Sequence, residues 1–292
     1  MNKKGLLFIH VAVLLYGCSS FFVKLIPMSV WVLTLGRALF SMIFLYFFMR
    51  VKHLDFRLSR LRDYFWNILA GLLLTIHWFF FIMSVQVSKV SIGTITFATY
   101  PMFVMFIEPY VFKEKFQYKN LISLVMICIG IAFLIPAFEL DNMVTLGIIY
   151  GIISSLSFAI LSTINRRLAL KYEGVVITFY EQTVSVLVMT LIISFIRPYL
   201  GEGNVIHFIE LIIYGVIFTA IAHSLYVSGL TSVKAQTASI ISVLEPVYSI
   251  FLAILFLDER LYYQEMIGTL FILGAVIFTT MMNRKVESVY EE

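Results

Sequence analysis

Charge is scarce in this chain. Only 13% of its 292 residues are Asp, Glu, Lys or Arg, against about 25% in a typical soluble domain. Apolar residues reach 61%, more than a soluble fold hides, and this excludes a separate water-facing domain. Cysteine is limited to Cys18 and Cys128, which excludes a disulfide framework or a thiolate metal centre. Also absent are a GxxxxGK[ST] phosphate loop, an HExxH or paired CxxC motif and a GxSxG nucleophile turn. ATP-driven and hydrolytic chemistry therefore have no signature here, so no cofactor and no enzymatic activity are expected. The formal net charge of +4 comes from loop clusters and does not point to nucleic acid. Proline is rare, at six residues, so Pro101 and Pro246 inside apolar runs stand out.

What is present is long apolar runs. A bilayer core of about 30 Å takes roughly 20 helical residues, and ten such spans cover the chain: 5–26, 29–49, 64–87, 91–112, 118–137, 145–165, 175–197, 206–230, 235–257 and 261–282. Each must be helical, because lipid offers backbone N–H and C=O groups no partner. The fold class expected is an all-α membrane protein. The N-terminal run from Lys3 and Lys4 to Cys18 resembles a lipoprotein signal, but the apolar stretch continues through Phe21, Phe22 and Val23. It is expected to remain as the first span.

The chain also repeats itself. Lys89, Pro101 and Glu114 return 145 positions later as Lys234, Pro246 and Glu259, and Thr34, Arg37 and Ser41 return at an offset of 144 as Thr178, Glu181 and Ser185. Residues 1–139 then form a first repeat of helices 1–5 and residues 140–292 a second of helices 6–10. With the N-terminus inside, sixteen lysines and arginines fall on cytoplasmic segments and only Lys24, Lys89, Arg197 and Arg260 outside. The positive-inside rule places both termini in the cytoplasm. Five spans per repeat is an odd number, so the second copy is inverted, as in secondary transporters.

Local motifs agree with this arrangement. Tyr16-Gly17 with Lys24, Gly36-Arg37-Ala38-Leu39-Phe40, Thr99-Tyr100-Pro101, Lys113-Glu114-Lys115, Leu244-Glu245-Pro246 and Leu257-Asp258-Glu259-Arg260-Leu261 run through both halves. Together they resemble the drug/metabolite transporter superfamily, in particular transporters with two EamA repeats. The resemblance implies a central solute cavity, lined in part by the third helix, and often export of amino acids, other metabolites, sugar derivatives or drugs.

Charges deep in a span are costly and usually face a cavity or a partner. Arg37, Glu181 and Glu245 are the three candidates. Each has hydroxyls at i−3 and i+4: Thr34 and Ser41, Thr178 and Ser185, Ser242 and Ser249. Arg37 and Glu245 lie close in depth, so an ion pair that substrate interrupts is expected; the alternative is structural pairing between helices. His77 and His223 add side chains whose ordinary pKa lies near 6.5 and suits a proton gradient, although either could equally be a histidine bonded to a neighbouring helix. Trp78, Phe81, Tyr100 and Tyr226 would complete a cavity for an apolar or aromatic solute with a charged head, a description that fits an amino acid. Pro101 and Pro246 should kink their helices and free the carbonyls of Phe97 and Ser242. Glu108, beside Pro109, is expected at the interface and in reach of water. Gly147 and Gly151 have the GxxxG spacing of close helix contacts, a pattern that carries no functional argument by itself.

The expected function is a secondary transporter or facilitator in a bacterial inner membrane, exporting a small organic solute by alternating access. Glu181, Glu245 or His77 would bind a proton if transport is coupled. The alternatives are a membrane-embedded enzyme using His77, His223 and Glu245, and a membrane partner that transports nothing. The partners implied are the lipid bilayer, a small-molecule substrate and, if coupled, protons. Oligomeric state has no signal in the sequence.

Overall fold

The computed structural model describes residues 3–113, 120–134, 142–201 and 203–290, and among them every regular element is a helix apart from one isolated bridge, Met28 to Gly201. Helices α1 (Lys3–Leu25), α2 (Val30–Val51) and α3 (Leu61–Val87) are uninterrupted. The next apolar segment is split into α4 (Val90–Phe97) and α5 (Tyr100–Phe112). After α6 (Asn120–Leu134) come α7 (Met143–Ala169) and α8 (Gly174–Ile196). The following segment runs from α9 (Val205–Gly215) through a π-helical stretch, Val216–Ile221, into α10 (Ala222–Gly229). A second split segment, α11 (Ala235–Ile241) and α12 (Leu244–Leu257), precedes α13 (Tyr263–Tyr290). Eight of these segments are long and apolar enough to cross a bilayer. Glu114, Lys115, Lys119 and the expected repeat boundary at 139/140 lie outside the described residues.

The two mid-segment prolines do not simply kink a helix. Pro101 occupies the first turn of α5, where its missing N–H costs nothing, and Pro246 lies in the first turn of α12. The carbonyls expected to be free are both occupied: the Ser155 hydroxyl donates to Phe97 O at 3.4 Å, and the Glu245 N–H donates to Ser242 O at 2.9 Å. A dry interior favours a local partner for any polar group a break releases.

The starts of α4 and α11 are capped across the molecule. Glu259, just beyond α12, accepts from the N–H groups of Val90 and Ser91 at 2.8 and 3.2 Å. Glu108 of α5 accepts from those of Ala235 and Gln236 at 3.1 and 2.9 Å. Val90 and Ser91 match Ala235 and Gln236 at the repeat offset of 145, so equivalent helix ends are each held by a carboxylate of the other repeat. The expectation that Glu108 reaches water is thereby corrected. It is 2% exposed and also pairs with Arg166, because the positive end of a helix dipole and a guanidinium hold a carboxylate better than the interface does. At the opposite face, Lys89 pairs with Glu265 at 3.0 Å, and Lys24 donates to the carbonyls of Gln86 and Ser88.

Glycine permits the tightest contacts. A Cβ on Gly147 would fall 2.4 Å from Ser88 Oγ, and one on Gly151 would fall 2.8 Å from Thr96 Cβ, so the GxxxG pair serves the packing of α7 on α3 and α4. Gly17 sets α1 against α12, since a Cβ there would lie 2.5 Å from Tyr248 Cβ. Gly17→Val should therefore wedge these helices apart and cost about 1–3 kcal/mol, read as a lowered midpoint of thermal unfolding in detergent. A midpoint equal to wild type would contradict this packing.

Candidate functional site

Seven segments converge on a small cavity of about 20 Å³, room for roughly one water centre. Helix α3 contributes His77, Trp78 and Phe81, and α1 contributes Tyr16 and Ser19. Arg37 from α2, Phe97 from α4, Phe158 from α7, His223 from α10 and Glu245 from α12 complete the lining. Residues 34 to 41 show how the sequence builds its part: one turn of α2 to either side of Arg37 is small or polar, and Thr34, Arg37, Ala38 and Ser41 are all buried.

Arg37 is the largest fully buried side chain among the described residues. Its Nε donates to Thr219 Oγ1 at 3.1 Å and its Nη1 to the Tyr214 hydroxyl at 2.7 Å. The guanidinium lies over the Trp78 ring at 4.0 Å and the Tyr214 ring at 4.4 Å, a planar cation faced by π electrons. The π-helical stretch makes the grip possible. The wider turn lets Thr219 Oγ1 donate to Tyr214 O at 2.9 Å, five residues back, while accepting from Arg37. Gly215 lets that stretch approach, because a Cβ there would meet Arg37 O at 3.0 Å.

The expected Arg37–Glu245 ion pair is not formed. Glu245 faces the same cavity, 4% exposed, with no hydrogen bond or ion pair to its carboxylate among the described residues. Arg37 has instead turned its donors to the neutral hydroxyls of the α9–α10 segment. The second acid is engaged: Glu181 Oε2 lies 2.8 Å from His223 Nε2, and His223 Nδ1 lies 3.0 Å from the Tyr16 hydroxyl. A neutral imidazole protonated at Nε2 satisfies both contacts, accepting from Tyr16 and donating to Glu181. Glu181 Oε1 is buried without a partner. His77 Nδ1 lies 2.8 Å from Ser154 Oγ, with its ring between Phe158, Phe97 and Phe81 at 4.6, 5.0 and 6.0 Å.

The structure thus brings Arg37, His77, Trp78, Phe81, His223 and Glu245 to one cavity, with Glu181 bonded behind His223. Tyr100 and Tyr226 stand one layer further out: Tyr100 stacks on Phe97 and abuts Phe158, and Tyr226 bonds Ser162 at 3.0 Å. Pro101 and Pro246 set the helix breaks beside the site and do not line it. The hydroxyls of Thr34, Ser41, Thr178 and Ser185 are buried without partners, in keeping with stripes that avoid lipid. Sequence reading missed the roles of Tyr16, Phe158 and Tyr214. Tyr16 stood in a quoted motif and was the one with a usable signal; Phe158 is one of 28 phenylalanines, and Tyr214 depends on a π-helical stretch that periodicity does not announce.

A polar, aromatic-walled chamber within an all-helical apolar bundle is the arrangement of a membrane transporter. Residues 3–135 and 145–281 match the EamA-like transporter family, and the chain belongs to that family, within the drug/metabolite transporter superfamily. It is 29% identical over 199 residues to an uncharacterized transporter of Archaeoglobus fulgidus, covering 68% of this chain and 69% of that one. It is 22% identical over 210 residues to an uncharacterized transporter of Clostridium kluyveri, covering 69% and 67%. Over 222 residues it is 22% identical to the uncharacterized transporter YxxF of Bacillus subtilis, covering 75% and 70%. A solved crystal structure of a protein shares the fold with a TM-score of 0.72 at 15% identity, covering 98% of this chain and all of the other.

Removing the Thr219 hydroxyl isolates its contribution. Thr219→Val leaves Arg37 Nε buried without an acceptor and should cost about 1–3 kcal/mol, whereas Thr219→Ser should melt near wild type. Equal thermal midpoints for the Val and Ser variants would show that Arg37 does not depend on this bond.

Proposed function

We propose that this protein is a secondary transporter that exports a small organic solute, an amino acid or a related metabolite, by alternating access. The observation that carries the reading is the cavity where a cation, a carboxylate with no partner among the described residues and an aromatic wall meet. Arg37 uses Nε and Nη1 within the protein, so Nη2 is the donor offered to a substrate carboxylate. Glu245, with no partner of its own, complements an ammonium group. Trp78, Phe81, Phe97 and Phe158 suit an apolar side chain. A cavity of about 20 Å³ does not hold an amino acid, so the arrangement corresponds to a closed state that must open to load.

The topology of this reading is ten membrane helices in two inverted five-helix repeats, 1–139 and 140–292, with both termini in the cytoplasm of a bacterial inner membrane. The cross-repeat caps then lie on opposite sides, Glu108 with Arg166 inside and Glu259 near Lys24 and Lys89 outside. Each clasp joins the two repeats, and releasing one while the other holds opens a single face. In the coupled form of the mechanism, Glu181, Glu245 or His77 carries a proton against the substrate; facilitated diffusion is the uncoupled form. The Glu181–His223–Tyr16 chain favours coupling, because it joins a buried acid to the cavity through an imidazole.

The test is flux in liposomes containing only this protein, with L-phenylalanine as the probe after a thermal-shift comparison with other amino acids. Wild type should carry the probe, and an imposed pH gradient should drive its accumulation. The double variant Arg37→Gln with Glu245→Gln should fall to the rate of empty liposomes. Unimpaired transport by a folded double variant sinks the assignment of the site, and equal flux with and without the gradient assigns facilitation.

A further inference from the structure

Below the cavity, on the side that the proposed topology makes cytoplasmic, several buried polar atoms have no partner. Among the described residues they include Asn67 Oδ1, Asn165 Nδ2 and Oδ1, and Glu181 Oε1. All three residues are fully buried. Their places in the fold are related. Helices α3 and α7 run antiparallel, as the pairs His77–Ser154, Ser84–Gly147 and Asp63–Lys171 define. In that register Asn67 stands directly opposite Asn165, and helical phase puts Asn165 on the face of α7 that carries Ser154 and Gly147.

Glu181 closes the group from the third side. One turn beyond Asn67, a Cβ on Gly71 would meet Val184 at 2.6 Å and Glu181 O at 3.0 Å. Side chains on a helix lean toward its N-terminus, which carries the Glu181 carboxylate down toward the level of Asn67. One turn before Asn67, its Nδ2 donates to Asp63 O at 2.9 Å. Asp63 in turn accepts from Lys171 at 2.9 Å and from the Tyr172 hydroxyl at 2.6 Å, and the Lys171 side chain is 45% exposed. A buried amide costs several kcal/mol in an apolar medium unless something bonds it, and unsatisfied groups of this kind are bridged by water when the site is polar.

We propose that α3, α7 and α8 enclose a hydrated polar path from the cytoplasmic Asp63–Lys171 pair, past Asn67 and Asn165, to the free oxygen of Glu181. It supplies protons to the Glu181–His223–Tyr16 chain without opening the Glu108–Arg166 clasp. The path rests on the proton-coupled reading above and gives it a route separate from that of the substrate. Of the charged or titratable groups on the elements packed against α8, His223 of α10 bonds Glu181 and Tyr16 of α1 bonds His223; α2 carries Arg37, α3 carries Asp63 and Tyr64, and α7 carries Arg166 and Arg167.

Two measurements test the proposal. In a background with Cys18→Ala and Cys128→Ser, single cysteines at positions 67 and 165 should react with silver ion added from the cytoplasmic side at least tenfold faster than Ile82→Cys, which lies in the apolar core of α3. Rates no greater than that of Ile82→Cys overturn the path whatever the transport mechanism. In liposomes with L-phenylalanine, Asn165→Leu should lower pH-gradient-driven accumulation at least tenfold while exchange at equal pH stays within about twofold of wild type; Asn165→Gln, which keeps the amide, should restore accumulation. Parallel loss of both activities, or loss of neither, refutes the proton route. Failure of wild type to accumulate the probe or move protons refutes the coupled reading itself, and the silver-ion rates then report on hydration alone.

Discussion

A guanidinium in the middle of an apolar bundle has to be satisfied where it lies, and much of this architecture follows from Arg37. An unpaired charge in a low-dielectric interior is costly, yet among the described residues Arg37 has no carboxylate within bonding distance. Two hydroxyls and two aromatic faces take that place. Meeting this demand fixes the α9–α10 segment against α2 and places Trp78 of α3 over the cation. It also leaves Glu245 free of an internal partner. With cation and anion not paired to each other, both face the cavity as separate charges.

The breaks in α4–α5 and α11–α12 answer a related demand. An interrupted helix in a bilayer exposes N–H groups that lipid cannot satisfy. At the breaks themselves the carbonyls of Phe97 and Ser242 find local donors in the Ser155 hydroxyl and the Glu245 N–H, and the starts of α4 and α11 are capped by Glu259 and Glu108, each from the other repeat. The caps on α4 and α11 also tie the two repeats together.

Much of this was legible from composition and spacing. The uninterrupted helices fall within a few residues of the apolar runs, since length and hydropathy leave little choice once lipid is the solvent. The buried charges were legible for the same reason: Arg37, Glu181 and Glu245 are too costly to be accidental. Their partners were not. The Arg37–Glu245 pairing assumed that opposite charges at one depth meet, while the structure settles Arg37 on neutral hydroxyls. Glu108 looked interfacial because it lies near the inner end of its span, and its true partners, a helix end and Arg166, are over 50 residues away in sequence. Phe158 and Tyr214 carry no local mark that separates them from the other aromatics.

The π-helical stretch Val216–Ile221 is, in effect, one residue more than an α-helix of the same rise would use. In a regular helix Tyr214 and Thr219 would point about 140° apart, and no single guanidinium could bond both. The extra residue rephases everything that follows, so His223 and Tyr226 owe their inward direction to it as well. The length of this segment is for that reason part of the site's chemistry. A one-residue deletion there would leave the chamber's composition intact and yet turn His223 away from it and part Tyr214 from Thr219.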